Sequence, residues 1–507
     1  VISSAAPVEL RLSSAPGRWV LAATVLGSAI TAIDSTVVGI ALPAIGRNFA
    51  LPVASLQWVV TAYLVSLAGL LLVGGALGDR YGRRRVFVIG VVWFAAASLL
   101  CAVAPSATTL IAGRALQGVG GALLTPGSLA ILQASFVKDD RARAIGAWSG
   151  LGGVATAIGP FAGGFLISAL SWRLIFLINL PIAVVVVVIA RRHVPETRDP
   201  AAAGPVDVLG AGLVTLGLVG LAGGLIEAPN YGWSSPLVTA ALAVAVVAFA
   251  AFVVAEGRER YPMLPLGIFR SLQFSATNAV TFVVYAALGG ALFLLPVQLQ
   301  EVAHYSPLEA GSSLLPLTVV MLAFSARSGA LAVRLGPRLQ MAVGPVVVGV
   351  GMVLLRMIGS SGNYLTEVLP AVLVLALGLV ITVAPLTATA LASAPVEHAG
   401  VASAVNNDVA RAGGLIAVAL LPALSGLSGH SYMHPAELEA GFRHAVVIAG
   451  VAAAVGGLLA AALIRNPGAG RRAEERGRGR GGKVPVSCPL EATPLGHPTH
   501  EPVGSNL

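Results

Sequence analysis

Apolar runs of roughly 20 residues, broken by short polar gaps, occupy the chain from about position 19 to position 464. An α-helix needs about that many residues to cross roughly 30 Å of hydrocarbon. The runs fall near 19–41, 54–77, 86–104, 107–133, 145–169, 174–190, 207–226, 236–255, 273–296, 310–332, 340–359, 367–391, 400–424 and 443–464. They predict fourteen spanning helices and an all-α polytopic membrane protein. The last stretch, 465–507, is rich in Gly, Pro and Arg and cannot bury a core, so a disordered tail is expected there.

One polar gap organises the rest. Gly75-Ala-Leu-Gly-Asp-Arg-Tyr-Gly-Arg-Arg-Arg85 lies between two runs as a tight basic hinge. It returns as Gly329-Ala-Leu-Ala-Val-Arg-Leu-Gly-Pro-Arg338, offset by 254 (329 − 75), with six of ten residues retained. Asp79 is not retained and becomes Val333. A hinge repeated in register predicts a duplicated fold, with six spans in each half and the hinge between the second and third of each. The predicted domains are an N-terminus 1–18, a first bundle 19–190, a linker 191–272, a second bundle 273–464 and the tail. The linker contains the two surplus spans near 207–226 and 236–255.

Composition agrees with this picture. Of 507 residues, 56% are hydrophobic and 10% charged, against about 25% charged in a soluble protein. The net charge of +9 does not imply nucleic acid as a partner, because the arginines sit in short loops. Most cationic residues fall on the side of the termini, with Arg47, Arg173 and Arg443 opposite. That asymmetry places both termini in the cytoplasm. Residues 1–18 lack the apolar core of a signal peptide, so the first span would direct insertion. Lysine occurs only at positions 138 and 483, a bias that suggests a GC-rich bacterial host and its cytoplasmic membrane. Cys101 and Cys488 are not expected to pair. No Gly-rich loop ends in Gly-Lys-Ser/Thr, so no nucleotide is expected, and an ion gradient remains as the energy source. No cofactor is expected. His430 and His434 have a metal-compatible spacing, but Gly429 and Pro435 argue against a helix holding them.

The candidate chemistry lies within the spans. Asp34 is an acid deep in an apolar run, where a charge needs water or a partner. It shares a small, polar helix face with Thr24, Gly27 and Thr31. Arg114 is the second intramembrane charge. Each lies about seven residues, roughly 10 Å, from the outer surface, and this equal depth permits an Asp34–Arg114 contact, direct or through water. The pair is read as a proton-coupling element; purely structural roles are the alternative. Asn278, Thr281 and Tyr285 form a polar stripe read as cavity lining. Asn406, Asn407, Asp408 and Arg411 are read as a cytoplasmic gate or cap near the inner end of their span. Gly150-Leu-Gly-Gly-Val-Ala-Thr-Ala-Ile-Gly-Pro-Phe-Ala-Gly-Gly164 carries small residues every three or four positions, which permits close helix approach, and Gly159-Pro160 can kink the span.

These residues resemble the major facilitator superfamily and, within it, the fourteen-span drug:proton antiporters of the EmrB/QacA type. Gly75 to Arg85 resembles the superfamily loop. Leu110 to Gly121, with Arg114, Gln117 and Gly118, resembles its fourth-span motif. Gly150 to Gly164 resembles the antiporter motif, here Gly150, Gly159, Pro160, Gly163 and Gly164. Ile33 to Val38 with Ala41-Leu42-Pro43, and Trp172 to Pro181, resemble signatures of the same branch. The resemblance implies the major facilitator fold: two six-helix bundles about a central cavity, with two extra central helices. It implies export of amphipathic small molecules in exchange for protons. Arg114, with Gln117 beside it, would serve proton transfer. Gly75, Asp79, Arg80, Gly82, Arg83 and Arg84, matched by Arg334 and Arg338, would form the cytoplasmic gate. Gly39 departs from the pattern, which often has asparagine there, and the second half offers no deep acid. Those departures argue against tight binding of dications. Uptake of a metabolite by the same fold, and a non-transporting receptor, are the alternative functions.

Overall fold

The computed structural model describes residues 10–199, 206–260, 262–393 and 399–466. The tail expected to be disordered lies outside them. Fourteen helices among the described residues are long and apolar enough to cross a membrane. They are α1 (Ala15–Phe49), α2 (Val53–Tyr81), α3 (Arg83–Ala102), α4 (Ala107–Ser135), α5 (Lys138–Ala169), α6 (Leu174–His193), α7 (Val208–Tyr231), α8 (Pro236–Arg258), α9 (Leu272–Glu301), α10 (Pro307–Leu335), α11 (Pro337–Met357), α12 (Tyr364–Ala392), α13 (Val401–Leu424) and α14 (Pro435–Leu463).

Several helices outrun the apolar segments that predict them. Helix α14 begins at Pro435, not at 443, because its first turns carry Glu437, Glu439 and Arg443. Arg443 and Glu439 pair at 2.6 Å along the helix, so the polar turns remain helical. Starts are capped conventionally. Ser14 Oγ accepts from Gly17 N at 3.1 Å. Ser306 and Glu309 form a reciprocal capping box at the start of α10.

The two hinges have matching geometry. Gly82 sits at φ +117° and Gly336 at φ +85°, in conformations that disfavour a Cβ. Helices α2 and α10 each span 29 residues and start 254 apart (307 − 53). The packing also repeats. Helix α2 packs on α4, α3 on α4 and α6, and α1 on α5 and α6. In the second half α10 packs on α12, α11 on α12 and α14, and α9 on α13 and α14. Small residues bring these helices close, as expected where lipid removes the hydrophobic drive between them. On α4, Gly118 faces the Tyr63 carbonyl of α2 while Gly120 faces the backbone of Phe94 on α3.

Helices α7 and α8 pair with each other, and α7 also leans on both α2 and α13. An apolar cluster joins Ala54, Val65 and Ala68 of α2 to Ala222 and Leu225 of α7 and to Leu415 and Ala419 of α13. The surplus pair thus touches both halves.

Gly82 and Gly336 mark one end of the helices, the hinge end; the opposite end is the far end. Hydrogen bonds between the halves sit toward the far end. Gln57 Nε2 donates to the Val418 and Ala419 carbonyls at 2.7 and 2.9 Å. Gln300 Nε2 donates to the Ile40 carbonyl at 2.9 Å, and Val53 N to the Gly429 carbonyl at 2.7 Å. Arg47 and Glu301 form an ion pair across the same seam.

Candidate functional site

Asp34 and Arg114 meet. Both are 1% exposed, and Arg114 Nη1 lies 2.5 Å from Asp34 Oδ2. The guanidinium is otherwise satisfied by the Val59 carbonyl at 3.1 Å and Gln117 Oε1 at 2.7 Å. It also stacks over the Tyr63 ring at 4.4 Å from the centroid. The second carboxylate oxygen accepts from Gln117 Nε2 at 3.0 Å and from Asn179 Nδ2 at 3.4 Å. Ser98 Oγ closes the network, accepting from Gln117 at 2.8 Å and Asn179 at 3.3 Å. Five helices converge on one buried charge pair: α1, α3, α4 and α6 through polar side chains, and α2 through the Val59 carbonyl and the Tyr63 ring. A buried pair with its remaining donors and acceptors filled is tolerated; a half-filled one is not.

Two cavities lie beside the pair. A 260 Å³ cavity is lined by Arg114, Tyr63, Ser35, Thr36 and Gly39 of the first half and by Phe293, Pro296 and Gly414 of the second. A 540 Å³ cavity lies between α1, α2, α4, α5 and α13 and reaches the hinge residues Gly75, Gly78, Asp79 and Arg83. Thr31 lines the larger cavity, and Tyr63 lines both. Asp34 and Gln117 do not line either; Arg114 and Ser35 are their neighbours that do.

At the hinge, Arg83 Nη2 pairs with Asp79 Oδ1 at 2.7 Å. Arg84 N and Nε engage Glu196 at 3.1 and 3.5 Å. Arg83 N donates to the Thr197 carbonyl at 2.9 Å. These contacts fasten the first hinge to the segment following α6, in the same half. Arg80 lies 5.5 Å from the Tyr81 ring centroid. At the second hinge Arg338 donates to the Ala461 carbonyl at 2.7 Å, and Arg334 is exposed.

Helix α5 is packed unevenly. Gly159 faces Thr36, Gly163 faces Val37 of α1, and Gly164 faces Pro307 and Leu308 of α10. The Pro160 carbonyl abuts Gly311. Gly150, Gly152 and Gly153, nearer the hinge end, have open space where a Cβ would be. The small-residue motif is therefore a close seam in its far half only.

A family model described as Major Facilitator Superfamily matches residues 24–419. The chain belongs to that superfamily. It is a multi-pass membrane protein of a transporter family. This superfamily member is 35% identical over 410 residues to the tetracenomycin C resistance and export protein of Streptomyces glaucescens, covering 80% of this chain and 75% of the relative. It is 35% identical over 476 residues to a puromycin resistance protein of Streptomyces alboniger, covering 91% and 93%. It is 35% identical over 405 residues to the multidrug efflux pump LfrA of Mycolicibacterium smegmatis, covering 80% of each. Among solved structures, the POT family transporter PepTSo superposes with a TM-score of 0.65 at 16% identity, covering 88% of this chain and 97% of that one. A bacterial homologue of the human lysosomal transporter Spinster gives 0.61 at 18%, covering 89% and 98%. These two likenesses concern the fold.

Within this superfamily member, other polar residues lie differently from their sequence reading. Asn278 is 4% exposed and turned into the α9–α13 seam, where Asn406 Nδ2 donates to Asn278 Oδ1 at 3.1 Å and Thr281 Oγ1 at 2.9 Å. Neither Asn278 nor Tyr285 is among the residues lining the two cavities. Asn407 and Arg411, read with Asn406 and Asp408 as a cytoplasmic gate or cap, line the larger cavity that reaches the hinge. The helical turns of α13 extend back to Ala399, which puts Arg411 twelve residues in, roughly 18 Å along the axis. Ser98, Tyr63 and Asn179 join the site without being among the residues the sequence pattern predicts for it. A serine or tyrosine in a span gives little signal, but a lone asparagine among Ile178, Leu180 and Ile182 does, since its amide needs a partner in hydrocarbon.

Proposed function

We propose that the chain exports antibiotics or other drug-like amphiphiles from a bacterial cytoplasm, exchanging them for protons. The hinge end faces the cytoplasm on this reading, as the arginine distribution suggests. One observation carries the coupling: Arg114 lines the central cavity while holding the buried Asp34 carboxylate at 2.5 Å. Cargo in the cavity can draw on the guanidinium, and the carboxylate it releases then takes a proton. Each direction of exchange follows from the competition of cargo and proton for one network. The names of the relatives, resistance and export proteins, support export over uptake.

In this reading the hinge residues and the far-end Arg47–Glu301 pair close opposite mouths of the cavity, and the two bundles alternate between them. The seam at Gly159, Gly163 and Gly164 keeps the far mouth shut in the arrangement seen here. Neither a nucleotide nor nucleic acid takes part.

The test is dye accumulation in a host lacking its own pumps, with the chain expressed and an uncoupler added as control. Export predicts lower dye content that the uncoupler restores. Asp34→Asn should remove the energised exclusion while the protein still reaches the membrane. Unchanged exclusion in Asp34→Asn refutes the coupling role, and increased dye uptake refutes export.

A further inference from the structure

The larger cavity has an uneven charge. Its lining includes three charged side chains, Asp79, Arg83 and Arg411. Asp79 and Arg83 neutralise each other at 2.7 Å. Among the described residues Arg411 makes no hydrogen bond and no ion pair within 4.0 Å. Asp408 lies one turn nearer the hinge end and outside the lining; it attracts Arg411 electrostatically but stands beyond ion-pair distance, so it offsets part of the charge without taking up the guanidinium's hydrogen bonds. The charges on the lining itself thus sum to +1 (−1 + 1 + 1), and the N–H donors of Arg411 are left without hydrogen-bond partners among the described residues. No unpaired acid is present in it to receive a cation.

The surroundings suit a polar anion. Ser403, Asn407 and Arg411 are spaced by four and lie on one face of α13 toward the cavity. Across from them α1 presents Ser28, Thr31 and Ser35. A guanidinium offers five donors in a planar fork that matches a carboxylate or a delocalised oxyanion. Holding such a group unpaired at mid-span is costly unless a ligand or water completes it.

We propose that the cargo is anionic, bearing a carboxylate or an acidic phenol or enol, and that Arg411 binds that group. The proposal rests on the export reading, with cargo passing through the larger cavity, which shares Ser35 and Tyr63 with the cavity beside Arg114, and it narrows that reading to one charge class.

The probes are fluorescein and rhodamine 6G, which share a ring system and carry opposite charge. Binding to the purified full chain in neutral detergent at pH 8 is followed by fluorescence anisotropy. Fluorescein should bind at least about tenfold more tightly than rhodamine 6G. Arg411→Gln should weaken fluorescein about tenfold or more, as expected for a charge-assisted bond, and leave rhodamine 6G within about twofold. Arg411→Lys should keep most of the fluorescein affinity, and unchanged rhodamine 6G binding reports an intact fold. Tighter rhodamine binding by the wild type, or equal loss of both dyes in Arg411→Gln, overturns the proposal. So does displacement of fluorescein by phosphatidylglycerol in the micelle, which would assign Arg411 to lipid headgroups. Energised extrusion of rhodamine 6G without fluorescein binding would leave export standing and sink the anion site. Arg411-dependent fluorescein binding without extrusion of any dye would do the reverse.

Discussion

The two halves share a backbone plan and differ in what they bury. The first half closes on Asp34, Arg114 and Gln117. At the same 254-residue offset the second half has Leu288, Val368 and Ala371, which are 7%, 0% and 1% exposed and belong to one apolar cluster. The apolar version holds its helices together without any ion pair. Replacing a buried pair by packed apolar side chains is often neutral or stabilising. Folding therefore does not account for the charges in the first half. They are retained, on the function proposed, for exchange with a proton, while the second half supplies polar groups to the cavity from α13.

The comparison breaks most sharply if a charge is moved across. Leu288→Asp places an unpaired carboxylate in the apolar cluster and should cost about 5 kcal/mol or more. Little monodisperse protein should be recovered from membranes; normal yield and melting temperature would show that the second half already offers a hidden partner. Next in size is removal of one member of the native pair. Arg114→Met leaves the buried Asp34 carboxylate without its counter-charge, with an expected loss of about 3–5 kcal/mol. The double variant Asp34→Asn, Arg114→Met should regain more than half of that loss in thermal unfolding, yet show no uncoupler-sensitive dye exclusion. If the double variant is no more stable than the single one, the two halves are not alternative solutions to the same packing problem. The smallest effect concerns the hinges. Gly82→Ala and Gly336→Ala each force an unfavourable backbone conformation, costing about 1–2 kcal/mol. Gly82→Ala should be the worse, because its Cβ would meet the Glu196 carboxylate. Equal melting temperatures for the pair would mean that Glu196 moves aside freely.

Much of the fold is legible in the chain because a bilayer dictates it. Unsatisfied backbone is intolerable in hydrocarbon, so each crossing is a helix of predictable length. The repeated hinge then reveals the duplication. Helix ends are less legible, since the turns of α14 from Pro435 obey the water side and not the lipid side. The Asp34–Arg114 contact could be anticipated because both charges are rare in a span and lie at one depth. Ser98 and Tyr63 could not, because their residue types are unremarked in any helix and only the convergence of α2, α3 and α4 gives them a role. Asn278 shows a further limit. Helical periodicity places it on a face with Thr281, but whether that face meets a void or α13 is decided by tertiary packing.

The position of α7 carries one more consequence. It rests on α2 from one bundle and on α13 from the other, through side chains as small as Ala54, Ala68, Ala222 and Ala419. A rod braced against two bodies cannot stay still with respect to both once they tilt apart. One of its faces has to glide, and short methyl groups offer little for it to catch on. On the alternating motion proposed above, the surplus pair would work as a bearing between the two bundles.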